Sequence, residues 1–237
     1  MEGTFFSVLA LGFILGIRHA IEPDHVIAVS TIASESKKLW QASLAGVFWG
    51  IGHTVTLFIV GLVVILMKNE IPEKWAMSLE FLVGIMLVYL GLKTILSLRK
   101  IHIHKQIHDG ENRTNVHSYP NSVEHEHQKK HQNKSYVGSM FIGFIHGLAG
   151  SGAMILLTLS TVNSVGEAAI YILIFGIGTV TGMLLFTTII GIPFVLSKKR
   201  RKVSRTFGLI TGTISTVFGV YYMYNLGINE GLLNLWI

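Results

Sequence analysis

Six chemically distinctive residues lie within one short segment, RHAIEPDH, which spans residues 18–25. The segment holds two histidines, two carboxylates, an arginine and a proline, yet the flanking stretches TFFSVLALGFILGI and VIAVSTIA carry no charge. Ionisable side chains inside an apolar, membrane-length segment are costly unless they are paired or hydrated, so they usually mark a functional site. The segment is therefore the first place to look for chemistry.

Three histidines lie near the middle of three different apolar segments: His19, His53 and His146. Histidines at similar depth on separate helices can converge on one site near the centre of a bilayer, and we favour that interpretation. The alternative is three independent histidines, each hydrogen-bonded to a neighbouring helix.

Pro23 decides whether Asp24 and His25 can join His19. In a continuous helix, residues five and six positions apart point about 140° and 240° away from each other. Proline removes a backbone donor and clashes with the preceding turn, so the helix should kink or unwind there. An opened turn can bring His19, Asp24 and His25 together, whereas a kink that serves only packing is the alternative.

Imidazole nitrogens with a carboxylate suit a borderline divalent metal such as nickel, cobalt or zinc. They suit potassium and sodium poorly, and also magnesium, which prefers oxygen ligands and retains its waters. Metal binding requires neutral imidazoles, so it should weaken as the pH falls. The segment also holds Arg18 and Glu22, which have the spacing of a helical ion pair; Glu22 as an auxiliary metal ligand is the second possibility.

Composition predicts an all-α membrane protein. Only 14% of the 237 residues are charged, against roughly a quarter in soluble domains. The chain has no cysteine, so disulfides and zinc–thiolate sites are excluded.

The N-terminus lacks a basic region and a cleavage site, so we expect it to begin the first span rather than a signal peptide. Segments of about 20 apolar residues can cross a bilayer, and six are present: 4–33, 41–67, 75–97, 137–160, 167–196 and 206–228.

Lysine and arginine predict the orientation of these spans. Basic residues are concentrated in the connections after spans one, three and five, for example Lys37, Lys38 and the run Lys198–Lys202. Because cytoplasmic loops of membrane proteins carry excess positive charge, we expect these connections in the cytoplasm and both termini outside the plasma membrane. The net charge of +6 is thus a topology signal. No nucleic-acid partner is expected, since the basic loops carry no recognition motif.

The chain also repeats itself at nearly constant spacing. Gly16 of GIRH matches Gly143 of GFIH, Gly50 of GIGHTVT matches Gly176 of GIGTVT, and the pair Gly84 and Gly91 matches Gly212 and Gly219. Three spans per half force the halves into opposite orientations, which is the inverted-repeat plan of many secondary transporters. The prediction is two inverted three-helix repeats, residues 1–98 and 137–237, with the first helix broken near Pro23. The alternative is coincidence among glycine-rich helices.

The segment between the halves, residues 99–136, is polar and rich in histidine. Such a segment cannot bury a core, so the composition predicts a disordered cytoplasmic loop. Short His-rich tracts can bind metals, and this one could take, hand over or sense a metal; a solvated tether is the alternative. Its seven histidines are His102, His104, His108, His117, His125, His127 and His131.

These motifs resemble a known family. RHAIEPDH is similar to the H-A-x-x-x-D-H signature of nickel/cobalt transporters, and with WGIGHTVTLF (Trp49–Phe58) and GFIHGLAGSGA (Gly143–Ala153) it most resembles the branch of urease accessory membrane proteins. The resemblance implies that His19, Asp24, His25 and His53 select and pass the metal, and that His146 matches the branch's HGLAGS histidine. It also implies partners such as a cytoplasmic nickel chaperone or urease assembly proteins. Two departures stand out: the family's usual eight spans are reduced to six, and its later acidic signatures are absent.

We therefore expect a secondary transporter that takes up nickel, with cobalt as the other candidate, and that carries the metal as substrate rather than as a cofactor. Efflux of the same metals and a membrane metallochaperone that hands on nickel without moving it are the alternatives. A metalloenzyme is disfavoured, because HAIEPDH lacks the spacing of a catalytic HExxH pair on one helical face.

Overall fold

The computed structural model describes residues 2–67, 72–98, 128–149 and 164–237, and within these ranges the chain is helical without strands. This confirms the all-α prediction. The helices in these ranges are α1 (Glu2–His19), α2 (Pro23–Glu35), α3 (Leu39–Met67), α4 (Glu73–Ser97), α5 (Gln128–Ala149), α6 (Val165–Ser197) and α7 (Arg201–Tyr224). A π-helical turn (Asn225–Asn229) and a 3-10 turn (Leu232–Leu235) follow α7.

Three of the described helices, α3, α4 and α6, are long and apolar enough to cross a membrane, and the bent pair α1–α2 makes a fourth if it counts as one span. The predicted number of spans, six, is larger than the number that these described helices account for. The apolar part of α5 is Tyr136–Ala149, and the rest of the predicted fourth span lies outside the described residues. Residues 206–224 of the predicted sixth span lie in α7, whose first turns carry Arg201, Lys202 and Arg205, and α7 is not among the described helices that are apolar enough to cross a membrane.

The first span is interrupted at residues 20–22, where the direction of the helix bends by 56°. Pro23 is the first residue of α2, a position where the missing backbone donor costs nothing. Proline also pushes the preceding residue out of the helical region, and Glu22 is accordingly extended, with φ −61° and ψ 147°. The break predicted near Pro23 is therefore present, and it begins just after His19.

Close contacts between small residues and backbone hold the helices together. The helix α3 packs against α5 and α6, α1 packs on α6, and α4 packs on α7. A Cβ on Gly16 would overlap the carbonyl oxygen of Phe175, and one on Gly143 would overlap that of Trp49. Glycine is needed at both positions because the backbones meet there without room for a side chain.

These contacts are reciprocal between the two halves. Gly16 of α1 meets Phe175 of α6, and the matching Gly143 of α5 meets Trp49 of α3. The direction of packing also follows from the contacts: α3 and α6 run antiparallel, since successive contacts join Gly46 to Thr187, Gly50 to Val180 and Gly176 to Thr54. The helices α4 and α7 run antiparallel as well, with contacts that join Gly84 to Gly219 and Gly91 to Gly212.

Candidate metal centre

The break in the first span positions three of the expected site residues. His19 is the last residue of α1, and Asp24 and His25 are the second and third residues of α2. The rings of His19 and His25 meet edge to face, with centroids 4.6 Å apart. The opened turn thus allows the two rings to meet, although a continuous helix would point them in different directions.

His53 of α3 joins this pair. Its Nε2 atom lies 3.0 Å from Nε2 of His19, and its ring centroid lies 5.2 Å from that of His25. One ligand atom from each of the three histidines lies within 4.8 Å of the others. We call His19, His25 and His53 the triple-histidine set.

Asp24 and His146 form a second set on the other side of His25. Oδ1 of Asp24 lies 3.2 Å from Nδ1 of His25, and its Oδ2 lies 2.9 Å from Nε2 of His146. Asp24, His25 and His146 also place one ligand atom each within 4.8 Å of the others, and we call them the aspartate set. His25 belongs to both sets, so four helices, α1, α2, α3 and α5, contribute to one centre.

Several ring nitrogens of this centre lack a hydrogen-bond partner although they are buried: Nε2 of His25 and Nδ1 of both His53 and His146. The Asp24 carboxylate accepts the N–H of His25 at Nδ1, which leaves a lone pair on Nε2. A buried polar atom without a partner is costly. A cation bound at Nε2 of His25 would remove that cost there, and the neighbouring imidazole and carboxylate donors suit a divalent metal ion.

Glu22 does not pair with Arg18 as the spacing suggested. Its Oε2 lies 3.0 Å from Nδ1 of His19, and within the described ranges no ion pair of 4.0 Å or less joins it to the exposed Arg18. The reason is the break, because Glu22 is extended and no longer one helical turn after Arg18. The contact with Glu22 fixes the orientation of the His19 ring, and Arg18 lies outside both sets.

Two side chains to which no sequence motif assigned a role are Trp49, which contacts the centre, and Glu80 in α4. The indole of Trp49 stacks on His25 with an interplanar angle of 8° and meets His146 edge-on. Its position four residues before His53 puts both on one face of α3, which is the signal that could have identified it. Glu80 is a half-buried carboxylate inside the apolar helix α4, where it interacts with Tyr222.

The histidine-rich loop falls mostly outside the described residues. His102, His104, His108, His117, His125 and His127 lie there, and His131 lies within α5. Their role in metal binding therefore stays a prediction.

Comparison with known proteins points to nickel transport. The profile of NicO, described as a high-affinity nickel-transport protein, matches residues 5–200. The chain belongs to the NicO family. As a NicO protein with several membrane-length apolar helices, it is a multi-pass membrane transporter rather than an enzyme.

Two relatives illustrate the range of the NicO group. The urease accessory protein UreH of Bacillus sp. (strain TB-90) is 59% identical over 232 residues, which cover 98% of this chain and 96% of that protein. A Methanocaldococcus jannaschii protein, named as a nickel/cobalt efflux system, is 27% identical over 222 residues, 88% of each chain. No solved structure matches the chain.

Proposed function

We propose that the protein moves Ni²⁺, with Co²⁺ as the other candidate, across the plasma membrane through the centre at the break of the first span. The observation that carries this proposal is the convergence of four imidazoles and the Asp24 carboxylate, from four helices, in the interior of the bundle. His25, His53 and His146 are almost fully buried. Buried ionisable groups in a membrane protein generally serve an ion or proton pathway.

The donor set favours a borderline transition metal. Imidazole suits nickel, cobalt and zinc, whereas magnesium and calcium prefer oxygen donors. The 3.0 Å between the Nε2 atoms of His19 and His53 is close to the separation of two nitrogens that sit about 2.1 Å from one ion at a right angle. The centre can therefore hold such an ion without a large rearrangement of these two rings.

His25 provides a route between the two ligand sets. Because it belongs to both the triple-histidine set and the aspartate set, an ion that passes from one set to the other stays beside the His25 ring. Transport requires that an ion bind well enough to enter but weakly enough to leave. Two adjacent sets with a shared ligand meet that requirement better than one closed site.

The architecture extends the proposal to two inverted halves, residues 1–98 and 137–237, joined by a cytoplasmic loop at 99–136. The reciprocal contacts support it, since the pair Gly16–Phe175 is matched by Gly143–Trp49 and the pair Gly84–Gly219 by Gly212–Gly91, at offsets of 126 to 128 residues. The antiparallel packing of α3 with α6 supports opposite orientations, because these are the matching helices. The basic connections support the orientation with both termini outside.

Nickel uptake that supplies a nickel enzyme such as urease is the favoured direction. The support is the 59% identical relative, whose name is urease accessory protein; cytoplasmic nickel chaperones or urease assembly proteins would then receive the metal. Efflux is the second candidate, supported by the relative named for nickel/cobalt efflux. A deletion strain separates them, since loss of an importer lowers cell nickel and loss of an exporter makes cells nickel-sensitive.

Flux of radiolabelled metals into proteoliposomes tests the proposed function. We expect the purified protein to move nickel or cobalt faster than magnesium or potassium, because imidazole donors discriminate against hard cations. Vesicles without protein are the control. Bound nickel without any flux would contradict transport and favour a metallochaperone that hands on the metal without translocation.

Replacement of all seven loop histidines by alanine tests the loop separately. We expect nickel flux to continue at a changed rate or apparent affinity, because the centre itself lies between α1, α2, α3 and α5. The measurement is initial flux against nickel concentration, with wild-type protein as control. Complete loss of flux in a variant that elutes as folded protein would mean that the loop is part of the essential path.

A further inference from the structure

A second polar feature lies on the same helix faces as the metal centre. A partly open cavity of about 100 Å³ lies between α2, α4 and α5 and has room for several water molecules. Its polar lining consists of Thr31, Glu35, Lys93, Thr94 and Ser139. Three of these, Thr31, Thr94 and Ser139, are at most 3% exposed, so the cavity brings hydroxyl groups deep into an otherwise apolar bundle.

Along α2 and α5, the cavity lies next to the centre, on the side where the connections α2–α3 and α4–α5 begin. On α2, His25 is followed at helical spacing by Ala28, Ile32 and Glu35, and the last two line the cavity. On α5, the lining residue Ile142 lies one turn before His146 on the same face. Thr31 follows His25 by six positions in α2, which corresponds to a rise of about 9 Å along the helix axis.

Apolar side chains lie between the cavity and the centre along both helices. Ala28 is fully buried, and Ile142 packs against the same apolar cluster. Both residues lie between the histidines and the hydroxyl groups along their helices. A path between the two compartments therefore requires these apolar side chains to move.

Glu35 lies at the mouth of the cavity among basic groups. Its Oε2 is 3.5 Å from Nζ of Lys93, and both side chains are 40% or more exposed. Lys198 donates a hydrogen bond to the carbonyl oxygen of Ser34, and burial lowers the pKa of its ammonium while Glu35 opposes that change. An exposed ion pair contributes little stability, so Glu35 can exchange Lys93 for a passing divalent cation.

We infer that this cavity is the vestibule through which a hydrated divalent cation passes between the centre and the membrane face that carries these two connections, with Glu35 as its receiving carboxylate. The inference rests on the proposed transport function and adds a second cation-binding station to it. Hydroxyl groups replace part of the ion's water shell inside the vestibule, and the carboxylate attracts the ion at the mouth. Lys93 takes the place of the cation when the vestibule is empty.

The natural absence of cysteine allows a direct test of water access. We expect Thr94→Cys and Ser139→Cys variants in proteoliposomes to react with a charged, membrane-impermeant methanethiosulfonate reagent. Phe141→Cys is the matched control, since it lies two residues from Ser139 on the outer surface of α5 and is 62% exposed; lipid should protect it from the reagent. Failure of both vestibule cysteines to react in folded protein would overturn the assignment.

Glu35→Gln tests the carboxylate. We expect nickel flux at sub-saturating concentration to fall about ten-fold, because a charged mouth raises the local concentration of cations, while Glu35→Asp keeps most of the flux. Equilibrium nickel binding to the centre should be unchanged in both variants. Wild-type flux in Glu35→Gln would overturn the role of Glu35. Cysteine labelling needs no nickel and therefore tests the vestibule independently of transport. Absence of nickel flux through the wild-type protein would contradict the proposed transport function, whereas unreactive vestibule cysteines would contradict the vestibule.

Discussion

Nickel flux through a His25→Gln variant is expected to fall to the level of vesicles without protein. His25 belongs to both the triple-histidine set and the aspartate set, so its loss removes one ligand from each and interrupts the route between them. Glutamine can still hydrogen-bond to Asp24, which limits damage to the fold. The measurement combines initial nickel flux with equilibrium dialysis, and we expect the affinity to fall by at least about 100-fold, since even outer partners of a metal ligand are worth 10- to 100-fold.

The matched control for His25→Gln is the same substitution at His117 in the histidine-rich loop. That variant carries an identical chemical change outside the helices that form the centre, so we expect near wild-type flux. Wild-type nickel flux through a folded His25→Gln protein would show that the centre does not lie on the transport path. His19→Ala and Asp24→Ala extend the test, because each belongs to a different set.

The sequence predicted the centre because its signals are local. Pro23 predicted the break, and the break is sufficient to bring His19 next to His25. His53 and His146 could be added because each is a histidine in the middle of an apolar segment, where few other roles are available. Family membership supports the expected chemistry, whereas the role of each residue in metal passage stays a prediction.

Features that depend on the backbone conformation at the break, or on the packing of distant segments, could not be predicted. The pairing of Glu22 with His19 instead of Arg18 requires the extended conformation of one residue, which helical spacing does not reveal. The stacking of Trp49 on His25 depends on the angle between α2 and α3. The cavity beside Glu35 depends on the distances among α2, α4 and α5, to which the sequence gives no direct guide.

The membrane spans also differ in how well the local sequence predicts them. Hydropathy identified α3, α4 and α6, which are apolar along most of their length. It is a weaker guide for α7, where basic residues occupy the first turns, and for the first span, which is divided by its break. The repeat was visible as matched glycines, but only the contacts show that these glycines have reciprocal partners.

The reciprocal glycine contacts lead to a second prediction of large effect, on stability. A Cβ on Gly143 would overlap the backbone and the indole of Trp49, whereas a Cβ on Gly138 of the same helix would have no atom within 4 Å. Replacement of glycine by alanine inside a helix otherwise stabilises by about 1 kcal/mol. We therefore expect Gly138→Ala to raise the thermal unfolding midpoint in detergent and Gly143→Ala to lower it, with overpacking costing about 1–3 kcal/mol.

The proposed inverted halves allow a further test, because Gly16 contacts Phe175 as Gly143 contacts Trp49. Gly16→Ala should then destabilise the protein to a similar extent. Equal midpoints for Gly138→Ala and Gly143→Ala would contradict the close packing of α5 on α3. A harmless Gly16→Ala beside a damaging Gly143→Ala would instead argue against equivalent halves. Since Trp49 stacks on His25, Gly143→Ala should also weaken nickel binding, which links the packing of the repeat to the metal centre.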